Sequence, residues 1–336
     1  MTAKEHIWQQ PANVTIDAAL ARPIHKKWLD DKIIGIGSVQ GSIEADVGQT
    51  VQKSGRSTGL TRGQITVVGT TVTVAYGMGR SARFTNQIVT TKMGAPGDSG
   101  SLLLDLANRA VGLLFAGGSQ ATLFHPIGDV LGQLKIRLKQ NWQEDSAPFP
   151  SLARGYRSLQ EICKEKSCEL LQLPNVVGVG IGHKQSHGFN LGELCLTVLV
   201  TAKVPKAALT PGELVPLKIG GIITDVIETG ILTADAGESW YGERQERRAK
   251  ERPARPGLSI AHYNVSAGTL GAVVYDASSK EPLILSNNHV LANATNGEDG
   301  LSALGDAILQ PGRSDGGHEE KDIIARLLRF HPLQFT

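Results

Sequence analysis

One serine of this sequence lies between two glycines, in the tetrapeptide GDSG at residues 97–100. A serine hydroxyl is a weak nucleophile at its ordinary pKa, so Ser99 would need a neighbouring base and an anion-stabilising pocket. The glycines allow a tight turn in which the amides of Gly97 and Ser99 converge on one oxygen. GDSG alone could be an ordinary turn, but the β-rich sequence around it favours nucleophilic attack by Ser99 with these two amides as an oxyanion hole.

The base that this chemistry needs is best supplied by His289, which follows the apolar run PLIL in the sequence SNNHV. A single histidine after a strand is more often structural than catalytic, but a serine nucleophile requires such a base. The remaining histidines lie in less distinctive surroundings: His6, His25, His125, His183, His187, His262, His318 and His331. We therefore select His289.

Two carboxylates could orient this imidazole. Asp17 lies among small apolar residues in NVTIDAALA, where a buried carboxylate needs a partner. Asp322, in KDIIA, is the rival. The residue types leave this choice open.

Composition excludes several classes of protein. The chain has 336 residues, of which 40% are hydrophobic, enough for two or three domains. A formal net charge of +2 gives no reason to expect nucleic acid or an anionic membrane as partner. The first ten residues contain no apolar signal region and no run is long enough to span a bilayer, so a soluble cytoplasmic protein is expected.

The three cysteines do not suggest a disulfide framework or a metal site. Cys163 and Cys168 lie on one predicted helix and Cys195 on a predicted strand, with no fourth ligand at suitable spacing. We interpret all three as small packed hydrophobic residues. No metal and no cofactor is expected.

The 39 glycines and the short alternating apolar runs predict a mainly β chain. Strands are expected at 33–39, 64–77 and 110–117, before an amphipathic helix over 126–140. A second helix, a small α+β module and further strands follow, with expected ranges 156–173 (helix), 176–182, 193–203, 221–230, 266–276, 282–290, 305–312 and 321–333. Two polar stretches are interpreted plainly: KSGR at 53–56 as the start of a turn, and the charged residues 236–256 as a flexible, solvated linker.

These motifs resemble the trypsin-like (chymotrypsin-fold) serine peptidases. GDSG followed by AVGLLFAG is similar to their second barrel, ILSNNHVLA to the histidine strand of the first, and NVTIDAALA to the strand that carries the acid. With GTLGAVVYD, GDAILQPG and KSGRSTGLTRG, the likeness is to a bacterial subgroup. It implies a double six-stranded β-barrel with a small α+β accessory module, and a triad of Ser99, His289 and Asp17.

The order of the triad departs from that family, in which histidine precedes the acid and the acid precedes serine. A circular permutation accounts for this order and favours Asp17 over Asp322. It implies that residues 1–145 contain the last strand of the first barrel, the second barrel and its terminal helix. Residues 146–235 are then a linker and the α+β module, 236–256 a charged linker, and 257–336 the first barrel.

The resemblance also implies a serine endopeptidase acting on protein or peptide. Its substrate pocket would be formed by Met93, Phe115, Gly117 and Gly118, with preference for an apolar or small residue before the scissile bond. The strand at 113–118 would pair with an extended peptide. The alternative is a catalytically silent scaffold that binds peptides or protein partners. The arginines of the 236–256 linker suggest a site of activating cleavage. A domain-swapped dimer, in which the first strand is donated to a neighbouring copy, is an alternative to the monomer.

Overall fold

The computed structural model describes residues 16–139, 154–186, 189–234 and 245–336. In chain order the strands are β1 (Ala19–Pro23), β2 (Thr50–Gly55), β3 (Gly59–Ala75), β4 (Ser81–Thr91), β5 (Leu102–Asp105), β6 (Ala110–Gly117), β7 (Ala121–Pro126), β8 (Ile136–Arg137), β9 (Val176–Ser186), β10 (Phe189–Val200), β11 (Lys218–Ile219), β12 (Ile222–Glu228), β13 (Ser259–His262), β14 (Gly268–Thr269), β15 (Ala272–Asp276), β16 (Pro282–Ser286), β17 (Ala307–Leu309) and β18 (Ile323–Phe330). The α-helices are α1 (Ile127–Leu134), α2 (Arg154–Leu170) and α3 (Asn288–Leu291). The expectation of a mainly β chain is confirmed.

The strands form two large sheets. The first has the order β14-β13-β17-β18-β1-β16-β15-β8, so β1 lies between two strands from the other end of the chain. Ala19 pairs with Ser286 of β16 on one side and with Phe330 of β18 on the other. Residues 19–21 are completely buried. The strand expected in NVTIDAALA, residues 13–21, thus begins at Ala19, while residues 13–15 lie outside the described part of the chain.

The second sheet has the order β11-β12-β10-β9-β3-β2-β5-β6-β7-β4. Its strand β6 has the sequence AVGLLFAG and lies between β5 and β7, which explains its continuous apolar run. The strands of the predicted α+β module belong to this same sheet, because β9 pairs with β3 at Val67 and Gly182. Helix α2 packs against β9. The module therefore continues the serine-bearing sheet.

Two predicted elements differ from the structure. Helix α1 ends at Leu134, since Lys135 adopts a left-handed conformation with φ of 51°. Residues 136–137 then form β8 on the edge of β15, so the predicted helix over 126–140 is too long. The predicted strand at 33–39 is a series of turns with a single bridge between Ile33 and Gly37.

The predicted flexible linker is wrong for its described part, residues 245–256. Arg247 is buried and donates to Ser54 Oγ at 2.8 Å, while the amide of Glu251 donates to Gln310 Oε1 at 3.1 Å. Ala254 is completely buried. Residues 235–244 lie outside the described chain. No helix in the described ranges has the length and apolar character needed to cross a membrane.

Candidate active site

Asp17 and His289 are brought together by the pairing of β1 with β16. Asp17 lies two residues before the start of β1, and His289 lies in the short helix that follows β16. Asp17 Oδ2 is hydrogen-bonded to His289 Nδ1, and Asp17 Oδ1 accepts the backbone amide of His289 at 3.1 Å. The two bonds fix the orientation of the imidazole. Its second nitrogen, Nε2, takes part in neither of them. Within the described residues, His289 Nε2 is buried and has no hydrogen-bond partner.

Asp17 is held by further donors from both sheets. The hydroxyl of Tyr76, at the end of β3, donates to Asp17 Oδ2 at 2.7 Å, and Asn287 Nδ2 donates to the Asp17 carbonyl at 2.6 Å. Burial by itself raises the pKa of Asp17. The charge of His289 and the hydrogen bonds from His289 and Tyr76 outweigh this effect and lower the pKa below its ordinary value. The carboxylate is therefore ionised at neutral pH.

A second histidine lies behind this pair and is neutral. His125 Nε2 accepts the backbone amide of Asp17 at 2.9 Å, which requires the proton on Nδ1, where Gln87 Oε1 accepts at 2.7 Å. Burial lowers the pKa of His125 to about 3. Its ring stacks on Phe115 with centroids 3.8 Å apart. His125 thus supports the backbone of Asp17 and not its carboxylate.

Ser99 lies in a tight turn between β4 and β5. Gly97 and Gly100 have φ of 90° and 94°, conformations that favour glycine, so the two glycines of the motif are required by the backbone. The amide of Gly100 donates to the Leu114 carbonyl at 2.9 Å, which ties the turn to β6. Within the described ranges, the amides of Gly97 and Ser99 donate no hydrogen bond to a backbone carbonyl.

Asp98 stabilises this turn through the hydrogen bonds of its side chain. Its buried carboxylate accepts hydrogen bonds from Lys53 Nζ, the Ser57 amide, the Thr58 amide and hydroxyl, and the Ala95 amide, at 2.6 to 3.1 Å. With its acceptor positions filled by structural donors, Asp98 holds the loop 95–100 and is not available as an acid for His289.

Thr269, in β14 of the first sheet, connects the turn that carries Ser99 to β16, the strand that precedes His289. Its amide donates to the Ser99 carbonyl at 2.8 Å, and its hydroxyl donates to the Gly97 carbonyl at 2.9 Å. Ser286, three residues before His289, donates to the Thr269 carbonyl at 2.8 Å. A Cβ atom at Gly100 would lie 2.1 Å from Ser286 Oγ. Only glycine at position 100 therefore allows the serine turn to approach β16 this closely. Ser99 and His289 are therefore anchored on adjoining segments, although no direct hydrogen bond joins their side chains within the described residues.

A cavity of about 250 Å³ opens beside Ser99. Its walls are Lys92, Gly94, Ala95, Pro96, Ser99, Leu114, Ala116, Gly117, Gly118, Ser119, Thr122, Ile231 and Thr233. Gly117 and Gly118, which the resemblance assigned to a substrate pocket, are among these lining residues. Met93 and Phe115 do not line the cavity, which differs from the prediction: both side chains are buried in the core, and Phe115 stacks on His125.

One edge of the cavity is covered by the chain itself. The Gly117 amide donates to the Thr233 carbonyl and the Thr233 amide donates to the Gly117 carbonyl, each at 3.0 Å. Leu232 is buried in the core, and Ala75 pairs with the same stretch from the other side. The 229–234 segment thus lies along the end of β6 as an extended strand would.

KSGR leads into a turn as predicted, since β2 ends at Gly55 and residues 56–58 form the turn to β3, but its two buried ion pairs were not expected. Lys53 lies within β2 and pairs with Asp98, and the Arg56 guanidinium pairs with Asp315 through Nη2 at 2.6 Å and Nε at 2.5 Å. Arg56 and Asp315 join the two sheets at a separation of 259 residues, which no local pattern signals. The rival acid Asp322 is engaged elsewhere, by Lys250 at 2.7 Å.

The described residues contain no group of three or more histidine, cysteine or acidic side chains that could hold a metal ion. Cys163 and Cys195 are buried on α2 and β10, Cys168 is exposed, and all three are free.

Comparison with known proteins gives partial likenesses. No protein-family model matches the chain, and no curated protein matches it. Among solved structures, a chymotrypsin of Cellulomonas bogoriensis is 32% identical with a TM-score of 0.28, covering 33% of this chain and 60% of that one. Thermobifida fusca protease A is 32% identical with a TM-score of 0.28, over 33% and 59% of the two chains.

A third solved structure is a glutamic acid-specific serine protease that uses a histidine triad in substrate binding. It is 29% identical with a TM-score of 0.27, over 32% of this chain and 57% of that one. The chain thus spans 60% or less of each of these three proteins. These structural neighbours are bacterial chymotrypsin-like serine proteases, and the likeness extends over about a third of this chain.

Proposed function

We propose that this protein is a serine endopeptidase in which Ser99 is the nucleophile, His289 the general base and Asp17 the orienting acid. The observation that carries the proposal is the Asp17–His289 hydrogen bond, located where Thr269 ties the Ser99 turn to the histidine strand. A buried carboxylate on Nδ1 selects the tautomer whose Nε2 is able to accept a proton. This is the arrangement that a serine nucleophile needs.

The reaction proceeds through an acyl-enzyme. Ser99 Oγ attacks the peptide carbonyl carbon while His289 Nε2 takes the hydroxyl proton. The carbonyl oxygen becomes an anion and accepts hydrogen bonds from the amides of Gly97 and Ser99. His289 then gives its proton to the leaving amine as the C–N bond breaks. Water, deprotonated by the same imidazole, hydrolyses the ester and returns Ser99 to its starting state.

The expected preference for an apolar or small residue rested on Met93 and Phe115. Since neither side chain lines the cavity, that preference is not retained.

The direct test is a fluorophosphonate probe, which labels a serine only when a base activates it. We expect the wild type to be labelled and Ser99→Ala and His289→Ala to remain unlabelled. Asp17→Asn should be labelled more slowly, because the amide no longer holds the imidazole in the required tautomer. Circular dichroism of each variant checks its folding. A folded wild type that stays unlabelled would refute the proposal.

A catalytically silent peptide-binding scaffold is the second candidate. The observation that favours it is the 229–234 segment, which covers the Gly117 edge where an extended peptide would pair. The same probe separates the two functions, because a scaffold would leave Ser99 unlabelled while still binding peptide.

We also propose that the fold is a permuted double barrel with the domain bounds 1–145, 146–235, 236–256 and 257–336. The position of β1 between β16 and β18 supports this, because these strands lie at opposite ends of the chain. A reordered chain that starts at residue 154, runs to 336 and continues through a flexible linker into residues 16–139 should be labelled at Ser99 as the wild type is. Loss of labelling with loss of folding would contradict the permutation.

A further inference from the structure

Lys92 gives the cavity beside Ser99 a positive charge. Among the lining residues, all of which lie in the described chain, Lys92 alone is charged. Its Nζ lies 2.6 Å from the Gly118 carbonyl, to which it donates, and this bond holds the ammonium at the cavity rim. No carboxylate in the described residues lies within ion-pair distance of Lys92. An ammonium has three donors, so two N–H groups remain for a ligand.

Two buried ion pairs also lie close to the serine turn. Asp98 is neutralised by Lys53, and Asp315 by Arg56. The negative charge of Asp98 favours protonation of Lys92, but burial has the larger effect and lowers the pKa of Lys92 from its ordinary value. The Lys92 side chain is exposed at the cavity, is held by the Gly118 carbonyl and has no described carboxylate within ion-pair distance. A carboxylate that entered the cavity would gain a charge-assisted hydrogen bond.

The rest of the cavity fits a short acidic side chain. Leu114 and Ala116 supply an apolar wall for the methylene groups of a substrate side chain, and Ser119 adds a hydroxyl. Thr122 Oγ1 accepts the amides of Met93 and Gly94 at 3.0 and 3.1 Å, which fixes the wall that leads into Ser99. A basic substrate side chain would meet the ammonium of Lys92 and be repelled.

We propose that Lys92 makes this protein selective for substrates with aspartate or glutamate immediately before the scissile bond. This inference rests on the proposed peptidase function and deepens it, because it names the substrate class of the same site.

Matched chromogenic peptides that differ only in this residue test the inference. Glutamate against glutamine, and aspartate against asparagine, change the charge while keeping the shape. We expect the wild type to cleave the glutamate peptide with a kcat/KM about tenfold to a hundredfold higher than the glutamine peptide, as a hydrogen bond to a charged group allows. In Lys92→Met this ratio should fall to about one. Lys92→Arg should keep a preference for the acid, and the exposed Lys27→Met is the matched control that should keep the wild-type ratio.

Labelling of Ser99 by the fluorophosphonate probe separates failure of the inference from failure of the proposed function. The probe has no acidic side chain, so its reaction does not depend on selectivity for one. Normal labelling with a glutamate-to-glutamine ratio near one, or an unchanged ratio in Lys92→Met, overturns the inference alone. If the wild type is not labelled, the peptidase proposal is overturned. The inference is then decided by peptide affinity for Ser99→Ala: equal binding of the glutamate and glutamine peptides overturns it, and Lys92-dependent preference for glutamate supports it.

Discussion

Lys53 and Asp98 form an ion pair that is completely enclosed beneath the turn carrying Ser99. Nζ and Oδ2 are 2.9 Å apart, and neither side chain has any solvent exposure. Burial by itself raises the pKa of Asp98, but the charge of Lys53 and the hydrogen bonds from Thr58 and Lys53 lower it below its ordinary value. Because water does not reach either group, each charge depends on the other for its compensation.

Replacing Lys53 with methionine should therefore unfold the protein at much lower denaturant concentration. The substitution leaves an uncompensated carboxylate in the core, which costs about 3–5 kcal/mol of unfolding free energy. Urea denaturation at pH 7 measures this loss. Labelling of Ser99 should fall as well, since Asp98 orders loop 95–100.

Two controls make this result specific to the buried pair. Lys53→Met combined with Asp98→Asn removes both charges, so it should recover part of the stability. Lys139→Met breaks the exposed pair with Asp31 and should cost less than about 1 kcal/mol. Equal losses in Lys53→Met and Lys139→Met would contradict the role given to Lys53.

Tyr76 is a positioning residue for Asp17, and Tyr76→Phe should slow the reaction without unfolding the chain. Phenylalanine keeps the ring contacts with Phe84 and Phe335 but removes the hydroxyl that donates to Asp17. Losing one hydrogen bond to a charged group should lower kcat/KM about tenfold. That bond also lowers the pKa of Asp17, so its loss raises this pKa.

The measurement for Tyr76→Phe is the rate of probe labelling at pH 7, beside urea denaturation of the same variant. A purely structural role would lower the stability and leave the labelling rate of the folded protein as it is in the wild type. An unchanged rate in a folded variant would therefore refute the positioning role of Tyr76.

Much of the candidate site was accessible from local sequence. GDSG and SNNHV each carry a residue type that their chemistry needs, and they selected Ser99 and His289. Asp17 was chosen over Asp322 only through the family resemblance and the permutation that it implies. Strand β6 was predicted at its observed bounds because its apolar run ends in glycines. Helix α1 was predicted too long because Lys135, which ends it with a left-handed conformation, is not the glycine that usually marks such an end.

The supporting residues depend on contacts between distant segments. Tyr76 is 59 residues from Asp17, and nothing in its local sequence marks it as a hydrogen-bond donor to a buried acid. The sequence predicted a turn at KSGR but not the burial of Lys53 and Arg56, because charged residues are seldom fully buried without partners. Their partners, Asp98 and Asp315, are brought near only by the folded sheets. The pairing of β9 with β3 likewise depends on contacts between distant segments. The sequence therefore predicted the α+β module but not its pairing with the serine-bearing sheet.

Buried neutral His125 should make the protein less stable in mild acid. Its pKa of about 3 in the folded state lies below the ordinary 6.5, so the unfolded chain takes up a proton first as pH falls. The unfolding free energy should therefore fall between pH 6.5 and pH 3, with a contribution from this group of about 1.4 kcal/mol per pH unit. The lowered pKa values of Asp17 and Asp98 add their loss only below about pH 4, where the unfolded chain begins to protonate carboxylates.

Urea denaturation between pH 6 and pH 4.5 isolates this contribution. His125→Gln has no group that titrates there and should show a shallower slope than the wild type. His262 and His331, whose pKa values burial also lowers, remain in both proteins and cancel in the comparison. Parallel slopes would show that His125 does not titrate as its burial requires.

Thr233→Pro should uncover the edge of β6 at Gly117 and speed the cleavage of short peptides. Proline has no amide hydrogen, so it removes the bond from Thr233 to the Gly117 carbonyl that holds the 229–234 segment in place. A backbone hydrogen bond contributes about 1 kcal/mol, which corresponds to roughly a fivefold larger open population and a comparable rise in kcat/KM.

Thr233→Ala is the matched control for this substitution, because it changes the side chain and keeps both backbone bonds. It should behave as the wild type in peptide cleavage. A lower rate in Thr233→Pro, with unfolding free energy close to that of Thr233→Ala, would mean that the bound segment helps to hold the substrate and does not compete with it. The direction of the change in kcat/KM thus decides whether residues 229–234 compete with the substrate for the Gly117 edge or help to bind it.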